Sequence, residues 1–132
     1  MSGETNLDIL LKSMSPQLNE GEFVFVSIEN GRYGQLGELA PIAMFMETEG
    51  MTLVVPKSTA DDSGFSYNST FCCITLTIHS SLDAVGLTAA FASKLAEKDI
   101  SANVIAGYYH DHIFVQSEKS EQAMSALNEF RI

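Results

Sequence analysis

Basic residues are scarce: seven Lys and Arg stand against 17 Asp and Glu, a formal net charge of −10. That shortage excludes functions that need a basic face to neutralise phosphates, so neither nucleic acid nor an anionic membrane surface is expected as a partner. The acidic residues run from Glu4 to Glu129 without forming a block, the pattern of a solvated surface and not of a docking tail. No apolar run approaches the roughly 20 residues needed to cross a bilayer. The opening MSGETNLDILLKS has no basic stretch followed by a sustained apolar one, so a cytoplasmic protein is expected. Cysteine is limited to Cys72 and Cys73, neighbours that a strand would point to opposite faces. Two such thiols make no disulfide scaffold and read as buried side chains. Also missing are the G-x-S-x-G elbow, the G-x-x-x-x-G-K-[ST] phosphate loop and the G-x-G-x-x-G fingerprint. No catalytic residue, metal ligand or cofactor is therefore assigned.

The chain does have ample apolar character, 45% of 132 residues, enough for one domain or for two small ones sharing a core. Leu7, Leu10, Leu11 and Met14 are spaced as one face of a short helix capped by Thr5 or Asn6 and stopped at Ser15-Pro16. EFVFVSI, 22–28, is a strand, and the glycine-rich ENGRYGQLGEL after it reads as a loop and not a full helix. IAMFME, 42–47, and MTLVV, 51–55, form a hairpin around Thr48-Glu49-Gly50, and one or two helical turns follow from Ser58 to Ser63. FCCITLTIHS, 71–80, is a strand suited to burial on both faces. Val85, Thr88, Ala92 and Leu95 then recur at helical spacing. ISANVIAGYY and HIFVQ are two more strands around His110 and Asp111, and Met124, Leu127 and Phe130 mark a closing helix.

The two halves thus share a grammar: β-loop-β-β-α over 22–64 and β-α-β-β-α over 71–130. An α+β protein of two tandem units is expected, 1–66 with the N-terminal helix in the first unit, and 67–132. The second unit lacks a strand after its last helix. The strand of residues 22–28 is expected to fill that edge, interlocking the halves, or else a homodimer covers what is left.

In the second half, a strand ending in His79-Ser80-Ser81 leads into Leu82-Asp83-Ala84-Val85-Gly86, a helix begins near the glycine, and the next strand reads Ile100-Ser101-Ala102-Asn103-Val104-Ile105. This ordered set resembles the ACT domain, the ferredoxin-like βαββαβ regulatory module that binds amino acids in biosynthetic enzymes. The family's turn commonly reads aspartate, variable, proline, glycine; DAVG keeps its aspartate and glycine with Val85 in place of proline. GYYHDHIFV and MTLVVP extend the resemblance to the paired ACT modules of aspartokinases and of the arginine sensor of mammalian growth signalling, and to small stand-alone bacterial tandem-ACT proteins. It covers about residues 7 to 130. The resemblance implies a non-catalytic amino-acid sensor whose ligand sits where two ACT units meet.

The loop also has a physical reading of its own. A helix N-terminus presents unpaired N–H groups, so the segment Ser80, Ser81, Asp83, Val85, Gly86, Leu87 and Thr88 can hold a carboxylate, and Gly86 permits close approach. Asp83 suits a ligand ammonium, and Asn103, with Val104 and Ile105 beside it, both donates and accepts. The competing reading makes Asp83 or Ser81 a helix cap, Gly86 a packing glycine and Asn103 part of a local hydrogen-bond network. His79, His110 and His112 suggest a metal-dependent enzyme, but as turn residues satisfied locally they need no metal. Two functional readings result: an amino-acid-binding sensor, homodimeric or larger, and an interaction module that dimerises without ligand.

Overall fold

The structure is a computed structural model and describes residues 6–77 and 85–131. Chain order is α1 (Leu7–Ser13), β1 (Pro16–Leu18), β2 (Phe23–Ile28), β3 (Ala43–Met46), β4 (Met51–Pro56), α2 (Lys57–Asp62), β5 (Phe71–Leu76), α3 (Leu87–Glu97), β6 (Asn103–Ala106), β7 (Asp111–Gln116) and α4 (Ser120–Asn128). By backbone contacts the chain forms two units. One is residues 21–71; the other combines residues 1–20 with 72–132.

In the unit of residues 21–71, β4 lies between β2 and β3, antiparallel to both, with Val24 opposite Val55 and Met44 opposite Leu53. Alternation turns Val24 and Val26 of β2, and Met51, Leu53 and Val55 of β4, into one core with Leu39 and Ala60. Where the other unit has a helix after its first strand, this one has the loop of residues 29–41. Its single 3₁₀ turn, Gly37–Leu39, is flanked by Leu36 and Ala40 in the left-handed region. Leu39 plugs the core from that turn, and its carbonyl accepts from the Thr59 hydroxyl at 3.0 Å. The hairpin forms as the sequence predicts, with Glu47 and Gly50 exchanging backbone bonds across Thr48-Glu49.

The other unit has strand order β1-β5-β7-β6. Ile74 and Leu76 of β5 and Ile113 and Val115 of β7 turn to one face, where Leu87, Phe91 and Leu95 of α3 and Ala123, Ala126 and Leu127 of α4 cover them. The helical stripe therefore repeats every four residues from Leu87, while Val85 and Thr88, predicted on the buried face, are exposed. Gly86 at φ +94° starts the helix, one residue after Val85, and this fixes which residues face inward.

α1, expected with the first half, packs in this unit: Leu10 and Met14 are fully buried in its core, and Leu7 and Leu11 pack against it. Asn6 caps α1, its side chain accepting from the Ile9 N–H at 3.1 Å. The edge of β5 expected to take residues 22–28 is shared by two strands: β2 reaches it at one rung, Phe23 opposite Phe71. β1 takes the rest, pairing antiparallel with β5 so that Pro16, Gln17 and Leu18 face Leu76, Thr75 and Ile74. β2 pairs along its length with β4 on one edge, and on the other edge its Phe23 stands opposite Phe71 of β5.

Candidate functional site

Of the predicted site, Ser80, Ser81 and Asp83, like His79, lie outside the described residues. Val85 is 85% exposed at the entrance to α3. Gly86 occupies the cap position with a left-handed backbone that disfavours any side chain, and a Cβ there would lie 3.2 Å from Leu7 Cδ2 of α1. Its carbonyl accepts from the Ala90 N–H at 2.9 Å. Among the described residues no side chain caps α3. An uncapped first turn carries the partial positive charge of its peptide dipoles, which favours an anion. Thr88 is exposed on that turn, whereas Leu87 is 4% exposed and packs in the core. Leu87 can therefore offer a ligand only its backbone.

β6 divides the other three residues. Val104 packs against the helix-covered core, so Asn103 and Ile105 project from the opposite face of the sheet. Asn103 donates to the Phe114 carbonyl at 3.2 Å, and Ile105 stands opposite His112. The side chains of Leu87 and Val104 thus join one core, and those of Asn103 and Ile105 turn away from it.

A second polar group lies on the face of Asn103 and Ile105, and periodicity gave no sign of it. Asn19, just past β1, donates from Nδ2 to Thr75 Oγ1 at 2.8 Å, and Thr75 Oγ1 meets His112 Nδ1 at 2.9 Å. Three elements distant in sequence build this chain. Strand alternation places Thr75 and His112 opposite the core-facing Ile74 and Ile113, a signal that a register alignment of β5 with β7 would have revealed. Burial holds the His112 imidazole below its ordinary pKa, as does neighbouring His110, with Asp111 opposing. Burial pushes the Asp111 carboxyl up against the pull of both histidines. Cys73 is buried, and burial raises its thiol pKa while contacts with Asn19 and Thr75 lower it. The β6–β7 turn is made by Tyr108 and Tyr109, two residues earlier than predicted, with the Gly107 N–H bonded to the His110 carbonyl at 2.9 Å. Both tyrosines are about 60% exposed at its tip, so they do not pack within a strand. Among the described residues no three of His, Cys, Asp or Glu are grouped to hold a metal.

Two ACT-domain family profiles match the chain, one over residues 2–73 and one over 68–129. A Vibrio cholerae protein of unknown function, described as a possible transport protein, is 56% identical over 96% of both chains, with a TM-score of 0.88. The ligand-free regulatory subunit of aspartate kinase from Thermus thermophilus is similar in fold, at 12% identity and a TM-score of 0.65 over 89% of this chain and 97% of that one. An Agrobacterium tumefaciens protein has 12% identity and a TM-score of 0.69 over 89% of both. No curated protein sequence matches the chain.

Proposed function

The chain belongs to the ACT-domain family, and from that premise we propose that it is a non-catalytic regulatory protein that binds a free amino acid. The observation that carries this reading is the start of α3, whose first turn has no side-chain cap among the described residues and follows a glycine in the left-handed region. The ligand carboxylate bonds the N–H groups of Leu87 and Thr88, with Val85 and Gly86 beside it. Asp83, supported by Ser80 and Ser81, receives the ammonium group, and the backbone of Asn103, Val104 and Ile105 completes the binding surface. The response passes through assembly of a homodimer or through a separate partner protein.

The test is a thermal-shift screen of the full chain against the twenty amino acids, followed by size-exclusion chromatography with any that act. A ligand at about 100 times its Kd adds about 2.7 kcal/mol, several degrees at this chain length. A selective shift that disappears in a folded Asp83→Ala variant is expected. One observation favours a second reading, an interaction module without ligand: Ile42 and, on edge strand β3, Phe45 and Met46 are apolar and exposed, Phe45 by 70%. No shift with any amino acid, together with a stable dimer, would decide for that reading.

A further inference from the structure

We propose that Asn30 is a modification site: with Gly31 it forms a spontaneously deamidating pair, and the turn that closes β2 holds the reaction back until that turn opens. The site stands apart from the start of α3 and needs no ligand.

Six asparagines occur in the chain, and Asn30 alone precedes a glycine. That neighbour decides the chemistry. In deamidation the Gly31 nitrogen attacks Asn30 Cγ; the new C–N bond closes a five-membered imide, and the bond from Cγ to Nδ2 breaks. Nδ2 leaves as ammonia, taking the hydrogen that the Gly31 nitrogen gives up. Water then opens the ring at either carbonyl, giving aspartate or, with the main chain rerouted through the β-carbon, isoaspartate. One water enters and one ammonia departs, so the solvent is the only co-reactant. Glycine leaves its nitrogen unshielded, whereas the residues that follow the other five asparagines carry side chains across the approach.

The fold fixes both members of the pair. Asn30 sits at φ +60°, a left-handed backbone that asparagine adopts more readily than most residues. Gly31 cannot be exchanged, because a Cβ there would stand 2.8 Å from Met51 Cβ and 3.0 Å from the Ile28 carbonyl oxygen. Neither atom is the far end of a flexible side chain. Ile28 and Met51 face each other at the end of the β2–β4 pairing, and Met51 is buried. The packing that closes these strands therefore requires the dipeptide that is chemically weakest.

The same turn guards it. The Gly31 N–H donates to the Ile28 carbonyl at 3.0 Å, and the nitrogen must lose that hydrogen before it can attack. The next residue is pinned as well, the Arg32 N–H donating to Gln35 Oε1 at 3.0 Å. Asn30 is exposed while Gly31 is partly buried, so reaction waits for Gly31 to lift off Met51. Isoaspartate then prevents reclosure, since it adds an atom to the main chain where a single methyl group already finds no room. A transient opening becomes a permanent loss of the Ile28–Met51 rung.

Incubation of the full chain at pH 8.5, native and in urea, tests the site. After a brief tryptic digestion the peptide of residues 13–32 is read by mass spectrometry, with an unincubated sample as the blank. Conversion at Asn30 and not at Asn19 is expected, at least about tenfold slower in the native chain, the effect of one hydrogen bond. Glu29→Gly loosens the turn at an exposed position. It is expected to raise the native rate about threefold and to leave the rate in urea unchanged. Hydrogen exchange of the isoaspartate form, with Asn30→Asp as the control for charge alone, is expected to be faster at the Met51 amide. No conversion of Asn30 in urea would overturn the site. Equal rates in the two conditions, or a native rate that Glu29→Gly leaves unchanged, would overturn the guard. Exchange at Met51 no faster than in Asn30→Asp would overturn the block to reclosure.

Discussion

Replacing Leu10 with alanine tests whether the N-terminal helix is built into the core of the second half or merely rests on it. Leu10 is fully buried among Phe91, Leu127 and Ile74, residues of α3, α4 and β5. Truncation removes three carbons, about 2.4 kcal/mol of transfer free energy at about 0.8 per methylene. Three elements converge on the site and cannot all collapse into the gap, so a cavity term raises the total to about 3–4 kcal/mol. At this chain length that lowers Tm by about 10 °C and, with a urea slope near 1.5 kcal/mol/M, moves the midpoint by about 2 M. Ile9→Ala is the internal control: Ile9 is the adjacent residue of the same helix and 50% exposed, so its loss is about 0.5 kcal/mol or less. Urea unfolding of the three proteins side by side is the assay. A Leu10→Ala loss below about 1 kcal/mol, or one equal to that of Ile9→Ala, would refute the assignment of α1 to this core.

Gly86→Ala forces a side chain onto a left-handed backbone and towards Leu7 Cδ2, and destabilises by roughly 1–2 kcal/mol in the same assay. An unchanged midpoint would mean that α3 starts elsewhere. In Cys72→Ser the remaining thiol is Cys73, buried and with its pKa raised by burial. Its reaction with an aromatic disulfide reagent at pH 7.5 is expected only at the rate at which the protein opens; immediate labelling would contradict that burial.

How much of this was legible in the sequence depended on length and period. β2, β4, β5 and β7 each carry six residues of dense apolar or β-branched character, and all four are found where the pattern placed them. β1 is a three-residue Pro-Gln-Leu with no alternation to read, and only pairing with Thr75 and its neighbours makes it a strand. The Leu7, Leu10 and Met14 stripe declared a buried helix face but carried no information on which half of the chain buries it. For the site, Gly86 was readable because a left-handed cap has a residue preference. The orientation of Leu87 and Val104 into the core depended on the exact start of α3 and β6, a single residue in each case. The Asn19–Thr75–His112 chain was beyond reach, since its members are separated by 56 and 37 residues and only the tertiary register brings them together.

The discontinuous unit has a consequence for the order in which this protein is made. Residues 6–19 leave the ribosome well before Ile113, Val115 and Leu127, which belong to the core that receives Leu10 and Met14. Residues 21–71 form a contiguous stretch and meet their own partners well before that. α1 is thus made before the residues that cover it, and its leucine face stays bare until they follow. A chain cut short before Leu127 leaves that face incompletely covered.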